Sequence, residues 1–339
     1  MSLRYNDDQR LLADSARDFL AARSPVSAQR RLRDEAVALG FEPQLWRDAV
    51  ALGWSAIAFP EEFGGLDFGC KGLGPIFESM GRNLSATPLL SSVVLGGSLV
   101  QLAGNAAQKA QWLPALIGGD QRLALAVDEH SRHDPSRIAL EAKAEGQGYR
   151  LHGDKFWVVD GLGADAYAVA ARTSGQPGET QGISLFLVPA GTPGLMVSAL
   201  PQIDSRNHAR LQLDRVQLGS DALLGNLGEG WAVLETALDR GRACLAAELL
   251  GMAEQLFETT LEYLKTRVQF DTQIGTFQVL QHRAAKMYID LALSRSALMA
   301  ALATLDDTGL EPRARARLVR LAEWKAGGTA IKVATAAVQ

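Results

Sequence analysis

The chain has 339 residues, long enough for two or three domains with a substantial core. Its 47% hydrophobic and 21% charged residues are ordinary for a soluble globular protein. With 34 basic against 38 acidic residues the formal charge is −4, which argues against nucleic acid or an anionic membrane as the main partner.

In chain order, Asp7 and Asp8 precede Leu11, Leu12, Ala16, Phe19 and Leu20, as the cap of an amphipathic helix should. The opening Met-Ser-Leu-Arg stretch runs into acids with no apolar core, so it does not read as a signal peptide. Leu45, Trp46, Ala49 and Leu52 follow at helical spacing, and Pro60, Gly64 and Gly65 then break the helix. Helix is expected again through Phe77 and Met80, over 95–102 and over 112–117. Serines, glycines and Gln101 interrupt the apolar run 88–103, which is too short and too polar to span a membrane. The two cysteines, Cys70 and Cys244, give no disulfide framework, and no Cys–His cluster has zinc spacing. These features point to a cytoplasmic protein.

From Leu123 the period changes to two. Strands are expected over 123–127, 142–145, 149–152, 155–159, 166–172, 183–188, 196–200 and 209–216, with a hairpin turn at Gly146-Gln-Gly148. The turns are short, with no crossover helices, so a doubly wound parallel sheet is not expected. Past the glycine-rich 225–230, Leu245, Leu249, Met252, Leu256, Thr259 and Tyr263 alternate steps of four and three. Phe277, Leu280, Ala284, Met287, Leu291, Ser294 and Leu298 do the same. Pro312 opens a third helix with Leu318, Leu321, Lys325 and Gly328 on one face. The expected architecture is α+β: an N-terminal helical domain (1–121), a middle antiparallel β-barrel-like domain (122–226) and a C-terminal helical domain of the four-helix-bundle type (227–339).

The segment 267–282, RVQFDTQIGTFQVLQH, resembles the "RxQFG…IGxFQxxQH" motif of the acyl-CoA dehydrogenase family. Residues 59–67, FPEEFGGLD, resemble that family's "PEExGG" turn, and 155–161, KFWVVDG, its "KxWxTNG" segment. The order α, β, α matches the family along essentially the whole chain. The resemblance implies FAD as cofactor and an acyl-CoA as substrate. It also implies an electron-transferring flavoprotein as electron acceptor and a dimer or tetramer of identical or related chains. In the family the 267–282 segment grips an FAD held mainly by a neighbouring subunit. The implied cofactor residues are Arg267, Gln269, Phe270, Phe277 and Gln278, with Trp157, Val159 and Val127 on the ring side. A guanidinium pairs bidentately with phosphate oxygens, and a helix N-terminus next to it offers free N–H groups. No metal is expected: His130 and His133 with Asp134 make only a weak metal pair, and an anion contact suits them better.

Several positions depart from the family pattern. Val127 and Val159 replace hydroxyl residues near the flavin ring, and His133 replaces a serine. Family bases are glutamates in one of two places, one of which corresponds to Gly241; the other lies in a C-terminal segment beyond the residues here. Glu248 lies two turns further along the same helix face, about 10 Å away. Asp239 and Arg242 match residues that contact the acyl-CoA, or else form an ordinary ion pair on a solvated helix face. The helix ending at Gln339 carries no capping residue, so either the chain is shorter than its relatives or the sequence stops before the true end.

Two functions follow from the resemblance. One is an acyl-CoA dehydrogenase, desaturating an acyl-CoA thioester between Cα and Cβ in the catabolism of fatty acids or steroid side chains. The other is a non-catalytic partner that completes the FAD site of a homologous chain. A weaker third is oxidase or monooxygenase chemistry on the same fold.

Overall fold

The computed structural model describes residues 5–307 and 309–339. The leader reading of residues 1–4 lies outside them. The first helices are α1 (Asp7–Arg23), α2 (Val26–Asp34), α3 (Pro43–Ala51) and α4 (Leu73–Asn83). A π-helix (Leu89–Gly97), α5 (Ser98–Ala103) and α6 (Ala106–Ile117) follow. The strands β1 (Leu123–Ala126), β2 (Glu141–Glu145), β3 (Gly148–Val159) and β4 (Ala166–Arg172) come next. After them run β5 (Ile183–Pro189), β6 (Leu195–Ala199), β7 (His208–Gly219) and β8 (Leu223–Leu224). The chain closes with α7 (Trp231–Thr266), the hairpin β9 (Val268–Gln269) and β10 (Thr272–Gln273), α8 (Gln278–Leu305) and α9 (Pro312–Val338).

The start of α1 differs from the expectation. Asn6 is the cap, not Asp7 or Asp8, and it forms a reciprocal capping box with Gln9. Two backbone donors are satisfied at once, worth about 1 kcal/mol, and Asp7 and Asp8 fall in the first turn, where the helix dipole favours them.

The chain divides into two compact units, and the boundary falls inside α7. One comprises residues 30–67 and 86–238. Its sheet runs β6-β7-β3-β2-β4-β5-β8, with β1 paired to β4. Most pairs are antiparallel, but β1–β4 and β2–β4 are parallel. The central β4, AYAVAAR, is buried along its whole length, which explains its four alanines and Val169 and the lack of polar alternation before Arg172. The two strands expected over 149–159 are one, β3, interrupted by irregularities between Leu151 and Gly153 and between Lys155 and Val158.

The other unit comprises residues 1–29, 68–85 and 239–339. Here α4 crosses α7 so closely that a Cβ on Gly81 would lie 1.9 Å from the Glu248 carbonyl oxygen, and one on Gly251 1.9 Å from that of Glu78. The buried face of α7 is therefore not the expected Leu245–Tyr263 seam. Leu245 and Tyr263 are exposed, and Ala243, Ala247, Leu250 and Ala253 are buried. Likewise α9 buries Val319, Ala322, Ala326, Thr329 and Val333, while Leu321 faces outward. Small residues let helix backbones approach, so the tight seam is not the one carrying the largest side chains. In α8 the expected seam holds from Met287 onward, through Leu291, Ser294 and Leu298. By length and composition α8 is apolar enough to cross a membrane, and 44% of its most apolar window is buried within the fold.

Half-buried charges join the elements of this unit. Arg295 on α8 donates to Glu78 of α4 at 2.8 and 3.1 Å and to Glu254 of α7 at 2.6 Å, and the Tyr5 hydroxyl donates to Glu78 at 3.0 Å. Burial, reinforced by Glu78, pushes the Glu254 carboxyl above its usual range.

Candidate functional site

The 267–282 segment folds as a tight hairpin followed by a helix. Val268 and Gln269 pair with Gln273 and Thr272, and Phe270 and Asp271 at the tip both adopt left-handed backbone, with φ of 53° and 57°. That is the conformation of a type I′ turn. Asp271 stands where the family motif has glycine, and a short polar side chain tolerates this region better than most. A short 3-10 turn covers Ile274–Thr276; Phe277, which the helical spacing counts in the seam, is the N-cap, and α8 begins at Gln278. No side chain caps Phe277, which leaves the N-terminus of α8 open to an anion.

The hairpin brings its predicted residues together. The Phe270 and Phe277 rings meet edge to face at 6.2 Å, and Phe270 is 88% exposed. Arg267, Gln269 and Gln278 are exposed as well. The backbone of Arg267 is fixed by bonds from its N–H to Tyr263 and from Ile274 to its carbonyl, at 2.9 Å each. Its guanidinium makes no ion pair with the described residues.

In the same unit, Asp239 and Arg242 form a pair at 2.7 Å, and Glu323 of α9 lies 3.9 Å from Arg242. The side chains are only 5% and 13% exposed, so the solvated-face reading of this pair does not hold. Gly241, between them, is buried. Glu248 is half-buried on α7, where α4 crosses. The half-buried carboxylates Glu78 and Glu254 are both engaged by Arg295.

The ring-side residues lie in the other unit. Val127, just past β1, is buried, and its carbonyl accepts a hydrogen bond from Lys155 at 2.8 Å. Val159 is half-buried at the end of β3, opposite His208 of β7. Trp157 sits in the irregularity of β3 with φ of 57°; its ring N–H donates to the His130 carbonyl at 2.8 Å, and the side chain remains 39% exposed. His133 Nδ1 lies 2.9 and 3.0 Å from the two oxygens of Asp128. Among the described residues, no group of three or more His, Cys, Asp or Glu could hold a metal ion.

Sequence reading missed Lys155, Glu129 and Arg172. Lys155 Nζ donates to Glu129 at 2.6 Å, and Glu129 accepts the N–H groups of Ala139 and Leu140. Arg172 donates to the carbonyls of Ser136, Ile138, Glu179 and Gln181. Lys155 opens a motif that the sequence shows, but nothing in its spacing signals burial. The Glu129 and Arg172 contacts are long-range.

These residues fit a flavin dinucleotide by donor chemistry. An oriented, half-open indole suits a ring system, and an exposed Arg267 on the hairpin that leads through two aromatic rings into an uncapped helix start suits phosphate and adenine. The side chains of Val127 and Val159 offer no hydroxyl to the ring.

Comparison with known proteins gives the family. Residues 6–120, 125–216 and 228–339 match the N-terminal, middle and C-terminal domains of acyl-CoA dehydrogenase. Acyl-CoA dehydrogenase FadE27 of Mycobacterium tuberculosis is 32% identical over 252 residues, 74% of this chain and 64% of that protein. The chain thus spans just under two thirds of that relative's length. Two solved structures are similar at 29% identity: the Tcur3481-Tcur3483 steroid ACAD, with TM-score 0.85 over 98% of this chain and 86% of that one, and the ChsE4-ChsE5 complex from Mycobacterium tuberculosis, with TM-score 0.87 over 100% and 87%. Fold and domain order together define a three-part chain of the acyl-CoA dehydrogenase type. The chain belongs to the acyl-CoA dehydrogenase family.

Proposed function

We propose that this chain is a subunit of an oligomeric acyl-CoA dehydrogenase whose FAD sites are shared between chains. The observation that carries this reading is the 267–278 hairpin: a rigid turn that exposes an Arg and most of a Phe ring. A nearly bare aromatic beside an exposed guanidinium is explained when another chain's cofactor covers both. Arg267 would pair with phosphate, Phe270 and Phe277 would border the adenine end, and Gln269 and Gln278 would add hydrogen bonds. Trp157 would stack on the ring system, and Val127 and Val159 would offer backbone groups. Bound FAD would accept the hydride lost from Cβ of the acyl group; the proton lost from Cα needs a base. Asp239, Arg242 and His133 would bind the acyl-CoA, and electrons would leave through an electron-transferring flavoprotein.

A buried glycine at 241 favours a second reading, in which this chain completes the FAD site of a related catalytic chain without supplying the base. The ChsE4-ChsE5 neighbour is itself a complex of two proteins. The steroid ACAD neighbour points to steroid side chains as one substrate class, beside fatty acyl chains. Two buried, unpaired thiols suit a reducing cytoplasm. The divisions at 121/122 and 226/227 serve as domain boundaries in this proposal.

The test is the visible spectrum of the purified chain, alone and with a co-encoded homologue. Stoichiometric flavin that an acyl-CoA bleaches is expected of a self-sufficient subunit. Flavin uptake only in the mixture identifies the partner role, and no uptake in either sinks both.

A further inference from the structure

Lys155 has 0% exposure, and burial lowers its pKa, with Glu129 and Asp128 opposing and Arg172 assisting the shift. An ammonium taken wholly out of water costs several kcal/mol before its partners repay it. Around it, three successive residues of β3 engage four successive residues of the chain after β1. Lys155 Nζ donates to the carbonyl of Val127 and the carboxylate of Glu129. The Phe156 N–H donates to the Asp128 carbonyl at 2.7 Å, and the Trp157 ring N–H donates to His130. Glu129 reaches on to the N–H groups of Ala139 and Leu140, at 2.8 and 3.0 Å, and so ties the start of the 129–140 loop to its end. Arg172 fixes the middle of the same loop through Ser136 and Ile138.

Trp157 is the strained point of this clasp. A bulky residue in the left-handed region is strained and persists only where its surroundings over-determine it. The bonds of Lys155 and Phe156 immediately before it supply that constraint.

We propose that Lys155 is a positioning residue: its buried ammonium sets the shape of the 127–140 segment and holds the exposed face of Trp157 in the orientation that receives the flavin ring. The flavin half of this inference rests on the proposed function; the loop half does not. A neutral side chain of similar volume would leave the Val127 carbonyl without the ammonium and Glu129 Oε1 with the Leu140 N–H alone.

The test is hydrogen–deuterium exchange of the intact chain, with and without FAD and the homologue, for wild type, Lys155→Met, Lys155→Arg and Glu129→Gln. In Lys155→Met the amides of 128–140 and 156–162 should exchange on the order of tenfold faster while those of α8 and α9 keep wild-type protection. Glu129→Gln should loosen the same two segments, and Lys155→Arg should restore part of the protection. The Met variant should also bind FAD at least about tenfold more weakly by flavin fluorescence. Wild-type exchange in both segments of Lys155→Met overturns the inference. So does equal loss of protection in α8 and α9 in both variants, which would make Lys155 a general stabiliser. Loosened segments in a protein whose wild type never takes up FAD would leave the clasp standing and remove the proposed function instead.

Discussion

Two residues show how local chemistry divides between function and cohesion. Arg267 presents a planar fork to solvent from a hairpin that fixes its backbone. Arg267→Lys keeps the charge but loses bidentate geometry, so FAD affinity should fall about tenfold in titrations followed by flavin fluorescence. An unchanged affinity would mean that the guanidinium does not meet the phosphates. Asp290 of α8 is held below the usual carboxylate range by its hydrogen bond to Lys325 of α9, with Lys332 assisting. A depressed carboxyl pKa contributes stability above the unfolded value, and that contribution is lost as pH falls through the folded one. Asp290→Asn should therefore cost up to about 1 kcal/mol in urea unfolding at pH 7, with the gap closing below roughly pH 4. A gap that persists at acid pH would assign the loss to packing. The Arg267 segment was legible in the sequence because its motif is contiguous. The Asp290 and Lys155 contacts were not, because their partners lie far along the chain.

Among the elements, α4 and α7 depend on contact between backbones. Gly81→Ala or Gly251→Ala sets a methyl group 1.9 Å from a carbonyl oxygen on the other helix, and two main chains must separate to admit it. Overpacking of this kind costs typically about 1–3 kcal/mol, so either variant should lower the free energy of unfolding by about 2 kcal/mol or more. Gly327→Ala on α9, where an added Cβ meets nothing within 4 Å, is the control and should be neutral or slightly stabilising. Loss at the control as large as at Gly81 would mean that helix propensity, not contact, governs these sites. The same geometry explains why the buried faces of α7 and α9 escaped pattern reading. Periodicity weights large apolar side chains, whereas close helices bury alanine, glycine and threonine and turn some large residues outward.

At the scale of the whole molecule, those outward residues need a partner. Leu321, Trp324, Ile331 and Val338 recur along α9 at steps of three and seven, and Ile289 and Leu293 stand exposed on α8. Their covering partner in the proposed assembly is another chain of the same family, and burying each contributes about 1.5–3 kcal/mol. Trp324→Asp with Ile331→Asp should convert the oligomer to monomer in sedimentation velocity and release FAD with it. A double variant that stays assembled would place the subunit contact elsewhere. The sequence by itself determined the family and the α, β, α order, because alternating and helical periods and the contiguous 267–282 motif are local properties of the chain. The sequence also exposed the glycine at 241. Only the tertiary structure decided which helix faces pack, that the Asp239–Arg242 pair is buried, and that Lys155 ties 127–130 to 155–157. Those outcomes depend on residues far apart in sequence, whose contacts no local pattern encodes.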